Sequence, residues 1–397
     1  MPSPLLTCKF SDKELEFTGY IVIDSAIRGR CCGGVRLSPE VSLNETIFLA
    51  QNMTLKYAFL GIPLGGAKVG IRINGKLTKA NRKLVFTKVG RILSPFIING
   101  SYVPGPDMGT SDKDIDWLLN AATYEEKNRE HASTALYTSW TMLTSATEAL
   151  NKLSLKLDNS TVVIEGFGSI GSSSAKVFSE KGAKVIAIST CKGAIYNSKG
   201  LDVKKLSEIK EKYGDDVVNH YPDAEKITKD ELLCLPADVL LPCAGSWTIN
   251  SRNAYKIATR IICPGANIPI TGEAEKILFN RKIISLPDFV SNSGAVLGAF
   301  MGSMVTEQAK KEIINKYFNK RVSQVIQTSQ EKGVPPIEVA KEIALERFHK
   351  IKNKYEKHDL KSQLNCRFKS IIPKVYRKIF IKPRAKRIFI QMLHSTE

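Results

Sequence analysis

The chain has 397 residues, a formal net charge of +19, 43% hydrophobic and 24% charged residues; that is enough for two domains and a large core, in the range of soluble globular proteins. No apolar run approaches a membrane span, and Met1 to Glu16 mixes apolar and charged residues without a signal region, so membrane and secreted classes are set aside. The eight cysteines include no CxxC or Cys/His metal spacing and two are adjacent, Cys31 and Cys32, which excludes a disulfide framework or zinc site from the expectation and places reduced thiols in the cytoplasm.

In chain order, Gly19 to Asp24 and Gly34 to Leu37 read as strands around a turn. Ser42 to Leu60 reads as a helix, with Ser42 as cap and Glu45 three residues on. Ala67 to Ile73 is a strand, Thr78 to Ile98 a long helix, and Tyr102-Val103 a short strand delivering Pro106-Asp107-Met108-Gly109. Ser111 to Ala122 is another capped helix. A helix over Thr138 to Leu153 leads into a second strand–helix series: strand Ser160 to Ile164, helix Ser172 to Lys181 and strand Lys184 to Ser189. The apolar run of Ser160 to Ile164 suits the centre of a parallel sheet. Val239 to Leu241, Ile261-Ile262 and Ile283-Ile284 read as further strands, and Glu307 to Thr328 and Pro336 to Tyr355 as amphipathic helices. Pro373 and Pro383 break the last forty residues, for which no fold is expected.

That last stretch carries most of the charge. From Lys341 to Glu397 there are sixteen Lys/Arg against five Asp/Glu. A basic surface attracts nucleic acid, anionic membrane or anionic metabolites. Here stacking aromatics are few, and the favoured reading is a solvated face or a subunit contact, with no nucleic-acid partner.

Two motifs carry chemistry. The strand Thr161 to Glu165 runs into Gly166-Phe167-Gly168-Ser169-Ile170-Gly171, a GxGxxG that opens a helix and is followed by a second strand. In that context it marks a dinucleotide site. Gly166 permits the tight turn, Gly168 lets a pyrophosphate approach the backbone, Gly171 lets helix and strand pack, and the helix N-terminus faces the phosphates. The second strand ends at Ser189-Thr190-Cys191-Lys192 without the acid that holds the ribose of NAD. With no carboxylate to repel a 2′-phosphate, and with Thr190 and Lys192 able to bind one, NADP is allowed beside NAD. The other motif is Pro63-Leu64-Gly65-Gly66-Ala67-Lys68, its lysine twelve residues after Lys56, with Asp107 following later. Glycines let the backbone of such a turn approach a substrate. Two nearby lysines depress each other's pKa, so that Lys68 can act as a base near neutral pH. Read singly, Lys68 is a solvated lysine after a turn and Asp107 a turn residue.

Taken together, Gly33-Gly34-Val35-Arg36, Met53-Thr54-Leu55-Lys56, Gly65-Gly66-Ala67-Lys68, Pro106-Asp107-Met108-Gly109-Thr110, the GxGxxG, Pro264-Gly265-Ala266-Asn267 and Pro287-Asp288-Phe289-Val290-Ser291-Asn292-Ser293-Gly294 resemble the glutamate/leucine/phenylalanine/valine dehydrogenase family, over about residues 19–355. The resemblance implies an α/β fold of two domains facing each other across a cleft: an N-terminal catalytic domain (1–133), a Rossmann NAD(P)-binding domain (134–300), helices returning to the first domain (301–360) and a basic extension (361–397). It implies that Lys56 binds the substrate α-carboxylate, Lys68 activates water, and Asp107 moves protons to and from the amino group. Gly33, Gly34 and Val296 fall at the substrate, and Thr138, Asn267 and Asn292 at the nicotinamide half of NAD or NADP. The expected reaction is reversible oxidative deamination of an L-amino acid to a 2-oxo acid and ammonia, by a homo-oligomer without a metal. Glutamate-specific members place a lysine where this chain has Cys32 and a serine near Ala299, so an apolar substrate such as leucine, valine or phenylalanine is favoured. Near Thr138, where the family has glycines, this chain has Ser139 and Thr141. Two alternatives stand: a glutamate dehydrogenase with a rebuilt pocket, and a non-catalytic paralogue binding nucleotide or nucleic acid.

Overall fold

The computed structural model describes residues 3–75, 77–123, 134–302 and 305–356. They divide into two compact units, one holding the residues up to 123 together with 344–356, the other holding 134–343.

In the first unit, β1 (Leu6–Asp12), β2 (Phe17–Ile23), β3 (Cys31–Leu37), β4 (Gly65–Ile73) and β5 (Tyr102–Pro106) form one sheet in the order β1-β2-β4-β3-β5. The expected strands over Gly19 to Asp24 and Gly34 to Leu37 are present as β2 and β3, but β4 lies between them, antiparallel to β2 and parallel to β3. A parallel β3–β4 pair needs a crossover, and α1 (Leu43–Leu60) supplies it. Its Ser42 cap accepts from Glu45 N and it ends on Gly61 in the left-handed region (φ 76°). β1 was not among the expected strands, although Leu6, Cys8 and Phe10 alternate there with Thr7, Lys9 and Ser11; none of the seven is fully buried. On the sheet, α2 (Lys79–Ile98) and α3 (Asp112–Thr123) complete a core of Ile21, Val35, Val69, Ile71, Phe86, Val89 and Leu118. Gly66 sets how closely α1 lies on β4: a Cβ there would be 2.1 Å from Thr54 N.

The second unit begins with α4 (Thr134–Lys152) and continues through β6 (Thr161–Glu165), α5 (Ser169–Ser179), β7 (Lys184–Thr190), β8 (Gly193–Tyr196), α6 (Val203–Tyr213), α7 (Val217–His220), β9 (Glu225–Ile227), α8 (Lys229–Cys234) and β10 (Val239–Pro242). After these come β11 (Ile261–Ile262), α9 (Gly272–Asn280), β12 (Ile284–Ser285), α10 (Asp288–Ser291), α11 (Gly294–Met301), α12 (Glu307–Ile313), α13 (Asn319–Lys332) and α14 (Pro336–Glu356). The sheet order is β12-β11-β10-β6-β7-β8-β9, parallel from β12 to β7, with β8 and β9 added as an antiparallel edge. β10 is buried throughout and β6 from Val162 to Glu165, as expected of inner strands in a parallel sheet.

Two expectations need adjustment. The helix over Glu307 to Thr328 is interrupted by a π-helical segment, Ile314–Phe318, which separates α12 from α13. Of the segment expected to return to the first domain, residues 305–343 group with the second unit instead. Lys310 Nζ donates to Tyr137 Oη on α4 (2.8 Å) and Thr144 on α4 bonds Asn315 (3.4 Å), which ties that segment down. From 344 on, α14 groups with the first unit, where Arg347 Nη1 donates to Phe59 O (2.7 Å). Among the described residues no helix is long and apolar enough to cross a membrane, and no His/Cys/Asp/Glu cluster could hold a metal. The basic residues after 356 lie outside the described residues.

Candidate functional site

In the first unit, the ends of β3, β4 and β5 bring a buried ion cluster together. Lys68, on β4, is 2% exposed, and its Nζ lies 2.9 Å from Asp107 Oδ2. Arg36 Nε, from β3, donates to the same oxygen at 2.8 Å, and Arg36 Nη1 donates to Glu45 Oε1 on α1 at 2.6 Å. Two cations and two carboxylates thus compensate one another away from water, which is the condition for burying charge at all. Burial would raise Asp107, but the Lys68 ammonium and the Arg36 guanidinium outweigh it and hold the carboxyl well below its ordinary range. Lys68 is lowered, first by burial and then by Arg36, against the pull of Asp107. The depressed lysine was expected; the neighbouring cation that contributes most is Arg36.

Local backbone explains why these residues meet. Asp107 follows β5 in a turn closed by Thr110, whose hydroxyl accepts from Asp107 N (2.8 Å) and donates to Val35 O (2.8 Å). Gly109 has φ 77°, and a Cβ there would be 2.0 Å from Leu37 O, so only glycine lets this turn lie on β3. At Gly34 a Cβ would meet Asp107 Cβ at 2.8 Å and Lys68 Nζ at 3.3 Å. Gly33 has a different duty: its Cβ would collide with Ala67 O, and its carbonyl accepts from Tyr102 Oη (2.9 Å). Lys56 is buried on α1 in the same unit. Cys32 precedes the glycines half-buried, and burial pushes its thiol up, so it is neutral beside the Tyr57 phenol; the Lys68 and Arg30 cations pull the other way.

In the second unit the Gly166–Gly171 turn has the geometry its sequence implied. Gly166 has φ 89° and lies against Ala244, where a Cβ would be 2.7 Å from Cα. Gly171 lies on Gly166 O, 2.0 Å from a would-be Cβ, and holds α5 against β6. Gly168 caps α5, and a Cβ there would meet nothing within 4 Å. An open face at a helix N-terminus with unbonded leading amides suits a pyrophosphate; Phe167 is buried, with its N–H bonded to Ser189 O (2.6 Å), while Ser169 and Ile170 begin the helix. Asn267 and Asn292 do come together: Asn292 Nδ2 donates to Ala266 O (2.8 Å) and lies 3.3 Å from Asn267 Oδ1. Asn292 Oδ1 is buried without a partner among the described residues, an acceptor suited to a carboxamide N–H. Thr138 is buried, and its hydroxyl donates to Thr134 O (2.8 Å) within α4. Val296, half-buried, and the exposed Ala299 share one face of α11.

The strand end at Thr190 calls for a correction. Thr190 is buried and its hydroxyl donates to Asp215 O (2.7 Å), while Cys191 Sγ lies 3.5 Å from Asp215 Oδ2. A carboxylate therefore does stand at the end of β7, delivered by the turn after α6. Lys192 occupies the exposed β7–β8 turn, its N–H on Thr190 Oγ1 (3.1 Å). Lys210, unremarked in the sequence, donates to Phe167 O, Gly168 O (2.9 Å) and Ser172 Oγ (3.1 Å), its ammonium over the Phe167 ring. Arg36, Glu45, Lys210 and Asp215 were all missed as site residues. Arg36 stood inside a quoted motif and was the only one with a readable signal; the others reach the site through tertiary packing.

Comparison with known proteins follows the same division. A profile of the glutamate/leucine/phenylalanine/valine dehydrogenases matches residues 114–355, and one of the Glu/Leu/Phe/Val dehydrogenase dimerisation domain matches residues 4–124. The NADP-specific glutamate dehydrogenase of Saccharolobus shibatae is 35% identical over 332 residues, 78% of each chain. The glutamate dehydrogenase of Thermotoga maritima is 33% identical over 304 residues, 70% of each. Among solved structures, a hetero-hexameric glutamate dehydrogenase from Thermus thermophilus in a Leu-bound form superposes with a TM-score of 0.75 at 24% identity, covering 88% of this chain and 89% of that one. L-tryptophan dehydrogenase from Nostoc punctiforme superposes with a TM-score of 0.60 at 21% identity, covering 88% and 97%. At such identities the structures speak for the fold.

Proposed function

The chain belongs to the glutamate/leucine/phenylalanine/valine dehydrogenase family, and on that premise we propose that it deaminates an apolar L-amino acid through Lys56, Lys68 and Asp107. It is an amino-acid dehydrogenase, an oxidoreductase acting on CH–NH2 groups with NAD or NADP. The observation that carries the proposal is the buried Lys68–Asp107–Arg36 cluster, in which both titratable members are lowered, Lys68 by burial toward its neutral amine and Asp107 by its two cations toward its carboxylate.

A nicotinamide cofactor would supply the hydride acceptor for oxidation of the substrate Cα. The protein's part is proton and charge management. Lys56 binds the α-carboxylate as a cation. Lys68, biased toward its amine, takes a proton from the water that attacks the imino carbon. Lys68 and Asp107 titrate as a coupled pair. Loss of the Lys68 proton removes the cation that contributes most to holding Asp107 down, and so makes Asp107 a better acceptor for the amino-group proton at the step that needs one. Gly166 to Gly171 would hold the pyrophosphate, and Asn267 and Asn292 the carboxamide.

The apolar preference rests on Cys32, a neutral thiol beside Tyr57 that itself offers a substrate side chain no cation. A desolvated, unpaired γ-carboxylate costs several kcal/mol, whereas an apolar side chain gains about 0.8 kcal/mol per buried CH₂. A second reading, glutamate as substrate, is favoured by the names of the relatives and by Arg30, whose charge reaches the Cys32 thiol. The N-terminal profile's dimerisation function supports a homo-oligomer, and the thiol usage a cytoplasmic one. A panel of L-amino acids with NAD and NADP decides the substrate, read as appearance of reduced nicotinamide. Leucine, valine or phenylalanine should exceed glutamate in kcat/KM. Glutamate as best substrate, lost on Arg30→Ala, establishes the second reading, and no turnover with any amino acid refutes both.

A further inference from the structure

Dinucleotide-binding units carry an acid at the end of their second strand to hold the ribose hydroxyls. Here β7 ends at Thr190 without one, and the chain turns through Cys191 and Lys192 into β8. It returns to the same strand end by way of α6 and the single 3₁₀ turn Gly214–Asp216. That turn is anchored by its main chain, since Thr190 Oγ1 donates to the carbonyl of Asp215 (2.7 Å). The Asp215 side chain is exposed, and its Oδ2 lies 3.5 Å from Cys191 Sγ. It is also close enough to Lys210 to oppose the lowering that burial imposes on that ammonium. Lys210 itself is bonded to the carbonyls of Phe167 and Gly168 in the glycine-rich turn. The Asp215 carboxylate therefore stands beside both the end of β7 and the turn that would hold the pyrophosphate.

We propose that Asp215 supplies the missing acid, accepting from the ribose hydroxyls of NAD and repelling the 2′-phosphate of NADP, so that the enzyme prefers NAD. The inference rests on the nicotinamide cofactor read from the family and the turn. The surrounding charges do not cancel it. An ammonium has three N–H groups, and those of Lys210 meet Phe167 O, Gly168 O and Ser172 Oγ. Asp216, the adjacent carboxylate, is engaged by Asn219 (2.7 Å) and His220 (2.9 Å). Lys192 is the one cation on the β7–β8 turn and is exposed to solvent. Because Asp215 is exposed as well, screening keeps its effect to several-fold rather than orders of magnitude.

The test is equilibrium binding of NADH and NADPH to the full-length protein, by calorimetry and by quenching of tryptophan fluorescence, for wild type, Asp215→Asn and Asp216→Asn. Asp215→Asn keeps the main-chain carbonyl that anchors Thr190, so the fold is not at stake, and circular dichroism checks it. Wild type should bind NADH more tightly than NADPH. Asp215→Asn should tighten NADPH by roughly three- to tenfold, an effect that shrinks with added salt, while Asp216→Asn leaves the ratio alone. Tighter NADPH binding by wild type, or a ratio that Asp215→Asn does not move, overturns this inference while the cofactor reading stands. A wild type that binds neither nucleotide overturns both.

Discussion

The two candidate sites are built from opposite materials. In the first unit the chemistry lies in side chains: four charged groups from three strand ends and a helix, buried together and satisfied by one another. In the second it lies in backbone: a glycine turn whose key feature at Gly168 is that nothing is there. The first site is therefore sensitive to charge, because removing one member leaves the others buried without a partner. The second is sensitive to volume and to φ, because its ligand meets amides and open space. Five substitutions exploit that difference.

The largest effect belongs to the charge cluster. Asp107→Asn and Lys68→Ala should lower kcat by roughly 10²–10⁴-fold, with nucleotide affinity unchanged when measured by fluorescence titration. Asp107→Asn should also lose about 3–5 kcal/mol of stability, since Lys68 and Arg36 then face each other in a buried site. Near-wild-type turnover in either folded variant would remove these residues from the mechanism.

Next comes Arg36, a positioning residue. It holds Asp107 and Glu45 with a forked guanidinium, and lysine cannot reproduce that geometry. Arg36→Lys should lower kcat by up to about 10²-fold through misplacement of Asp107, and should shift the acidic limb of the pH–rate profile upward as the carboxyl loses a donor. A reduced kcat with an unmoved profile would mean that Arg36 only supports the fold.

The backbone site yields a smaller and cleaner contrast. At Gly168, φ is −74° and a Cβ meets nothing within 4 Å, so Gly168→Ala should leave stability within about 0.5 kcal/mol and weaken nucleotide binding by roughly tenfold through the blocked approach of the pyrophosphate. At Gly166, with φ 89° and Ala244 in the way, Gly166→Ala should instead destabilise the unit by about 1–3 kcal/mol. Thermal melts and titrations on both variants separate occupied space from strained backbone; equal effects on binding and stability in Gly168→Ala would contradict the open-face assignment.

The same contrast explains what could be read beforehand. A glycine turn between a strand and a helix is local, and residues 161–171 announce it without help from the rest of the chain. Lys68 and Asp107 were legible because each sits in a short motif with its own glycines, and Lys56 because it ends the Met53-Thr54-Leu55-Lys56 motif. The partners were not. Arg36 and Asp107 are 71 positions apart, and Asp215 reaches Thr190 from 25 positions on, past the strand β8 that the apolar pattern did not disclose. Glu45 was read as a helix-cap partner, yet its carboxylate turns to Arg36, because a buried guanidinium outbids a backbone amide. Strand order failed for a related reason: alternation shows which face of β2 or β3 is buried, but not that β4 is inserted between them.

The smallest expected effect on catalysis comes from a buried carboxyl remote from the ion cluster. Glu275, on α9, is pushed up to about 8 by burial, with Asp288 adding to the rise and Ser285 and Lys341 opposing it. Glu165, at the end of β6, is pushed up to about 7 by burial against the hydrogen bond from Thr248. For such a group the folded state holds its proton more tightly than the unfolded chain, whose carboxyl titrates near 4.5. Its contribution to stability is complete below that value and is lost as pH rises through the folded value. Between about pH 4.5 and 8 for Glu275, and between about pH 4.5 and 7 for Glu165, each group should lower stability by up to about 1.4 kcal/mol per pH unit. Asp107 runs the other way: its pKa is lowered, so its contribution is present above the ordinary carboxylate value of 3.8 and is lost only in acid below it. The two windows do not overlap, so denaturant unfolding from pH 5 to 8 separates the raised pair from Asp107. Glu275→Gln keeps the shape and carries no proton to lose, and so it should flatten that slope and leave turnover at pH 7 unchanged. A slope as steep in Glu275→Gln as in the wild type would show that this carboxyl is ionised in the folded protein.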